Sequence, residues 1–160
     1  MKQFQKYVIG LALAASLVIL LVLMAVAGWF FLKARLSLDE PFAAYNYMAT
    51  PLFVFFFVMG INLIVAIIFG FQTTALYSRD RLFERPMERG LERTALAFLT
   101  ACLAALLEAI YILLNVQSVF VASPFLLLVC LFLLASQLFF LLSDVIRRGR
   151  VLREENDLTI

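Results

Sequence analysis

The sequence predicts an all-α integral membrane protein, a four-transmembrane-helix bundle with both termini in the cytoplasm. Three observations carry that prediction. Of its 160 residues, 65% are hydrophobic and 15% charged, with a mean hydropathy of +1.03. A soluble domain averages about 45–50% apolar and about 25% charged, and a small globule lacks the interior to hide such an excess. The bilayer is therefore the solvent. The charge-free runs, in turn, are long enough for four crossings. Finally, the lysines and arginines gather in alternate connecting segments.

The crossings follow from the runs. Tyr7 to Leu32 is free of charge, and so is Pro41 to Ser78. Thr94 to Ser143 is interrupted only by Glu108, which leaves room for two spans. About 20 apolar residues cross a hydrocarbon core of about 30 Å. The predicted spans are 7–32, 51–76, 94–116 and 124–146. Thr50 before Pro51 and Ser123 before Pro124 read as N-cap and N1 of the second and fourth spans. A hydroxyl satisfies a free N–H there, and proline gives up nothing at N1.

Direction follows from the cations. Lys2 and Lys6 precede the first span, five arginines (Arg79, Arg81, Arg85, Arg89, Arg93) lie in the 77–93 loop, and four (Arg147, Arg148, Arg150, Arg153) lie in the 147–160 tail. The other connections hold only Lys33 and Arg35. That asymmetry places both termini inside. Trp29, Tyr45 and Tyr47 fall at the outer interface, where amphipathic aromatics settle. The N-terminus also resembles a signal peptide, with Ala25-Val26-Ala27 as a cleavage-like triplet. Its apolar run of about 18 residues exceeds the usual 7–15, which favours an uncleaved first span.

The third span carries the one intramembrane acid. At 100° per residue, Ala97, Ala101, Ala104, Glu108 and Asn115 share a stripe opposite Leu96, Leu99, Leu103, Leu106, Leu107, Ile110 and Leu114. Small residues let helices approach, so the alanine stripe should face the bundle and bring Glu108 inward. An ionisable group there is a functional candidate by default, for a proton or a cation. The blander reading is a protonated acid hydrogen-bonded to a neighbouring helix, with Asn62, Ser136 or Gln137 at similar depth. Asn62 and Gln137 by themselves read as interhelical glue. No Lys or Arg lies inside any span to neutralise Glu108.

The charged segments come next. In the 77–93 loop, Glu84, Glu88 and Glu92 repeat every four residues, and so do Arg81, Arg85, Arg89 and Arg93. Helical geometry would pair Arg with Glu at i, i+3, but Pro86 and Gly90 argue against one continuous helix. Leu82, Phe83, Met87 and Leu91 would then lie on the membrane, with the arginines at lipid headgroups. In the tail, Arg147, Arg148 and Arg150 are placed to snorkel to headgroups. Gly149 and Asn156-Asp157 weaken the helix, so it should fray near Glu155 and leave an extended end. A free Leu158-Thr159-Ile160 terminus is able to add to a partner's sheet edge.

Two stretches resemble a known family. The tail "LREENDLTI", Leu152 to Ile160, is similar to the common C-terminal string Leu-x-x-Glu-Asn-Asp-Leu-Thr-Ile of the YoaS-like family of small bacterial four-span membrane proteins, a domain of unknown function. The loop "LFERPMERGLERTALAF" matches that family in part. Met87 stands where the family has Phe, and "ERP" where Gly-Lys-Pro is more usual. The resemblance implies a partner, because genes of the family often lie beside one for a very small helix-turn-helix regulator.

Two function classes remain. The first is a non-enzymatic membrane protein that binds or regulates such a partner through Arg85, Glu88 and Arg89 together with Glu154, Glu155, Asn156, Asp157, Leu158, Thr159 and Ile160. The alternative is a small transporter or channel using Glu108, with Asn62, Asn115 and Gln137 as further polar groups inside the membrane. No nucleophile–base pair or glycine-rich phosphate loop is present, and with no His and two Cys in apolar runs no catalytic residue, metal site or cofactor is predicted. Direct nucleic-acid binding is not expected, because the arginines are interleaved with glutamates that repel phosphate. Membrane lipids are expected neighbours, and a homo-oligomer remains open.

Overall fold

The computed structural model describes residues 2–36, 46–79 and 81–158. They form α1 (Lys2–Leu36), α2 (Asn46–Ser78), α3 (Arg85–Val116) and α4 (Val119–Leu158). All four are long and apolar enough to cross a membrane, and no strand occurs among the described residues. The segment 37–45, with the expected interfacial Tyr45, lies outside the described residues.

Every helix overruns its predicted span, and the prolines explain part of the difference. Pro51 and Pro124 are not at N1. Each sits inside its helix, which begins at Asn46 or Val119. Proline at 124 has no N–H for the Phe120 carbonyl one turn back. The Ser123 hydroxyl donates to that carbonyl instead, at 2.8 Å. Ser123 therefore repairs the helix rather than capping it, as Ser and Thr do around prolines in membrane helices. The α3–α4 connection shrinks to Gln117 and Ser118. Gln117 takes the left-handed conformation (φ 52°), and its N–H closes α3 onto the Leu113 carbonyl at 3.1 Å.

The 77–93 segment is mostly helix, against the expectation from Pro86 and Gly90. Only 79–84 connects α2 to α3. Glu84 is the extended N-cap and Pro86 falls in the first turn, where its missing N–H would have had no partner. Gly90 is where α3 passes closest to α2, since a Cβ there would meet Thr73 Cγ2 at 2.8 Å. Its lack of a side chain permits contact rather than a bend. As a result Met87 and Leu91 do not lie on the membrane. They are buried with Ile146, and Leu82 packs against them.

The α3–α4 seam is a heptad. On α4 the inward residues are Ala122, Phe125, Val129, Phe132, Ser136, Phe139, Ser143, Ile146 and Arg150, spaced alternately by three and four. Leu91, Ala95, Phe98, Cys102, Ala105, Ala109 and Ile112 of α3 follow the same spacing. Such a repeat keeps one face of two helices in contact along their length. Three bonds mark it at seven-residue intervals. Cys102 Sγ donates to the Val129 carbonyl (3.5 Å), Ser136 Oγ to Ala95 (2.9 Å) and Ser143 Oγ to Glu88 (3.3 Å). Phe98 stacks on Phe139, with ring centroids 5.6 Å apart.

The other contacts are looser. Met59 of α2 joins Ala101, Cys102, Ala104, Ala105 and Phe132 in the main core. The α1 helix packs on α2, where its buried Met24 meets Gly60. An apolar cavity of about 490 Å³ separates α1 from Phe98 and Phe139.

Candidate functional site

The charged end of the bundle is built on Arg150, which continues the α4 heptad past Ser143. Its Nη2 donates to Glu88 Oε2 at 3.0 Å and its Nη1 to Glu154 Oε1 at 3.2 Å. The side chains of Arg150 and Glu88 are 17% and 13% exposed, whereas Glu154 is 61% exposed. Arg150 therefore does not snorkel to headgroups. It ties the first turn of α3 to the last turns of α4, with its Nε buried and unpartnered. Asp144 takes Arg147 (3.2 Å) and Arg148 (2.9 Å).

Gly149 holds the same corner. A Cβ there would meet Phe83 Cε1 at 2.5 Å, so the ring of the connecting segment rests on bare α4 backbone. The expected weak point is thus a packing site, and α4 does not fray near Glu155. It stays helical to Leu158. Of the expected i, i+3 pairs, Arg81–Glu84 is present at 3.6 Å.

The predicted binding residues are distributed as follows. Glu154, Glu155, Asn156, Asp157 and Leu158 are exposed along the projecting end of α4, while Thr159 and Ile160 lie outside the described residues. Arg85 and Arg89 are exposed. Glu88 is not free for a partner, because Arg150 occupies its carboxylate. Arg89 and Arg93, with Gln72 and Thr73, line a separate pocket of about 240 Å³ at the α2–α3 seam. The Arg93 guanidinium lies 5.6 Å from the centre of the Phe69 ring.

The polar groups inside the spans do not converge. Glu108 faces inward with Ala97, Ala101 and Ala104, as the stripe predicts, and is 3% exposed. Leu96, Leu103, Leu107, Ile110 and Leu114 face outward, while Leu99 and Leu106 are half-buried. None of the three expected partners reaches Glu108. Asn62 donates to the Val58 carbonyl and accepts from Thr100, Ser136 is committed to Ala95, and Gln137 is exposed on the outer face of α4. Glu108 Oε2 has no hydrogen-bond partner among the described residues. Asn115 bonds the Tyr111 carbonyl at 2.8 Å and accepts from Tyr47 at 3.4 Å. No three His, Cys, Asp or Glu side chains lie together to hold a metal ion among the described residues.

The fold and this charged corner define a small four-helix membrane-type protein with an ion-paired end. The chain belongs to the family described as "Protein of unknown function (DUF2975)", whose profile matches residues 32–160 and so takes in α2, α3 and α4. No curated protein and no solved structure matches the chain.

Proposed function

We propose that this is a non-enzymatic protein of the bacterial inner membrane, with both termini in the cytoplasm, that binds or regulates a small cytoplasmic helix-turn-helix protein. The orientation rests on the cation asymmetry, eleven against two across the connections. The partner class rests on the resemblance of the tail to the YoaS-like proteins. One observation carries the reading of the site. The α4 helix runs 12 residues past position 146, to Leu158. At 1.5 Å per residue it projects about 18 Å beyond the predicted membrane boundary. That arm presents Glu154, Asp157 and Leu158, the last 87% exposed, from a root fixed by Arg150. An acidic arm with an apolar tip suits the basic surface of a DNA-reading helix, and its occupation would compete with DNA.

The test is co-purification of the full chain with the regulator encoded beside it, with and without residues 154–160. Capture should be lost on truncation. Undiminished capture removes the arm from the proposal.

A second reading is favoured by the unpartnered Glu108 Oε2. It is a small transporter or channel in which Glu108 exchanges a proton or cation. Liposomes containing the protein would then show proton-linked flux that Glu108→Gln abolishes. Full flux in the variant, or none in the wild type, removes this reading.

A further inference from the structure

The pocket at the α2–α3 seam brings two arginines and an amide together. Arg81, Arg147, Arg148 and Arg150 all face carboxylates. Arg89 and Arg93 stand one turn apart on α3 and line the pocket, with no ion pair among the described residues. Of the two acids adjacent in sequence, Glu88 is drawn away by Arg150, and neither Glu88 nor Glu92 lines the pocket. Gln72 supplies an exposed amide from the α2 wall, whereas the Thr73 hydroxyl is already donated to the Gly70 carbonyl at 2.9 Å. The Arg93 guanidinium lies over the Phe69 ring, a cation–π contact that holds it at the pocket. Pro86 forms part of the rim, so the pocket lies beside the positive end of α3.

Depth and flanks identify the occupant. Gln72 and Arg93 sit at the ends of the predicted second and third spans, the level of lipid headgroups. Ile68, one turn from Gln72, and Leu96, three residues from Arg93, are both exposed on the membrane side of the pocket. A ligand with a phosphate at the arginines and apolar chains along these residues fits both parts. We infer that this pocket binds the headgroup phosphate of an anionic phospholipid, held by Arg89, Arg93 and the Gln72 amide, with its acyl chains beside Ile68 and Leu96.

The experiment is native mass spectrometry of the full chain in detergent, titrated with phosphatidylglycerol, phosphatidylcholine or inorganic phosphate. A basic residue near an anionic surface contributes about 1 kcal/mol, or about fivefold in affinity. Arg89→Gln and Arg93→Gln should each weaken phosphatidylglycerol binding about fivefold, and together about 30-fold by the same figure. Both side chains are exposed, so folding should survive; unchanged helical circular dichroism checks this, and each single variant reads the effect separately. Arg153→Gln, on the α4 arm, should change nothing, phosphatidylcholine should bind weakly, and millimolar inorganic phosphate should not displace the lipid. The inference is overturned if the double variant binds within twofold of wild type. It is equally overturned if Arg153→Gln costs as much, or if inorganic phosphate displaces the lipid.

Discussion

Replacing Glu88 with Gln isolates the tie that fixes the α4 arm. The substitution keeps the shape of the side chain and removes its charge. In the native chain the Glu88 carboxylate, 13% exposed, accepts the Arg150 Nη2 bond at 3.0 Å. Hydrogen bonds to charged groups contribute about 1.5–3 kcal/mol, against about 0.5–1.5 for neutral ones. Neutralising Glu88 should therefore cost about 1–1.5 kcal/mol by that difference. Glu154 is 61% exposed, so its bond to Arg150 behaves as a surface pair. Glu154→Gln should cost less than about 0.5 kcal/mol, because solvent screens it. The assay is reversible unfolding in mixed micelles, titrated with dodecyl sulfate and followed by circular dichroism. The cost of Glu88→Gln should vanish when Arg150→Gln is already present. A Glu88→Gln cost no larger than that of Glu154→Gln, or one that persists without Arg150, refutes the argument.

Other perturbations probe the remaining joints. Gln117→Gly relieves a left-handed residue between α3 and α4 and should stabilise the chain by about 1 kcal/mol in the same unfolding assay, a gain partly offset by glycine's freedom in the unfolded chain. Ser136→Ala removes the bond to the Ala95 carbonyl and should destabilise by about 0.6 kcal/mol, and by no more than about 1.7, the range found for hydrogen bonds between membrane helices. Gly149→Val pushes the Phe83 ring off α4, and limited proteolysis in the 79–84 connection should accelerate while cleavage elsewhere does not.

The four helices long enough to cross a membrane were legible because the lengths of the charge-free runs mark them. Glu108's inward aim was legible too, since alanines mark the face of α3 that approaches its neighbours. The register of α4 was harder to read. Its inward positions include Ala122, Phe132, Ser136, Ile146 and Arg150, and apolar residues cover the rest of the helix as well. In lipid an outward leucine is as comfortable as an inward one, so hydrophobic contrast disappears. The seven-residue spacing of Ser136, Ser143 and Arg150 is the signal that remains, and it also locates the Glu88 tie. Pro86, Gly90 and Gly149 misled for a related reason. Local propensity treats them as breaks, whereas here one lies in a first turn and the other two make room for a neighbour. The pocket at Arg89 and Arg93 joins residues of two helices, and spacing within either helix does not reveal it.

The most direct test of the proposed role is a binding titration of the neighbouring helix-turn-helix protein onto the full chain in nanodiscs. Wild type is compared with the charge-reversed arm Glu154→Lys/Asp157→Lys. The account predicts saturable binding to wild type, weakened at least tenfold by the reversal and more sensitive to salt in the wild type than in the variant. Equal affinity for the two, or no binding to either, would contradict it.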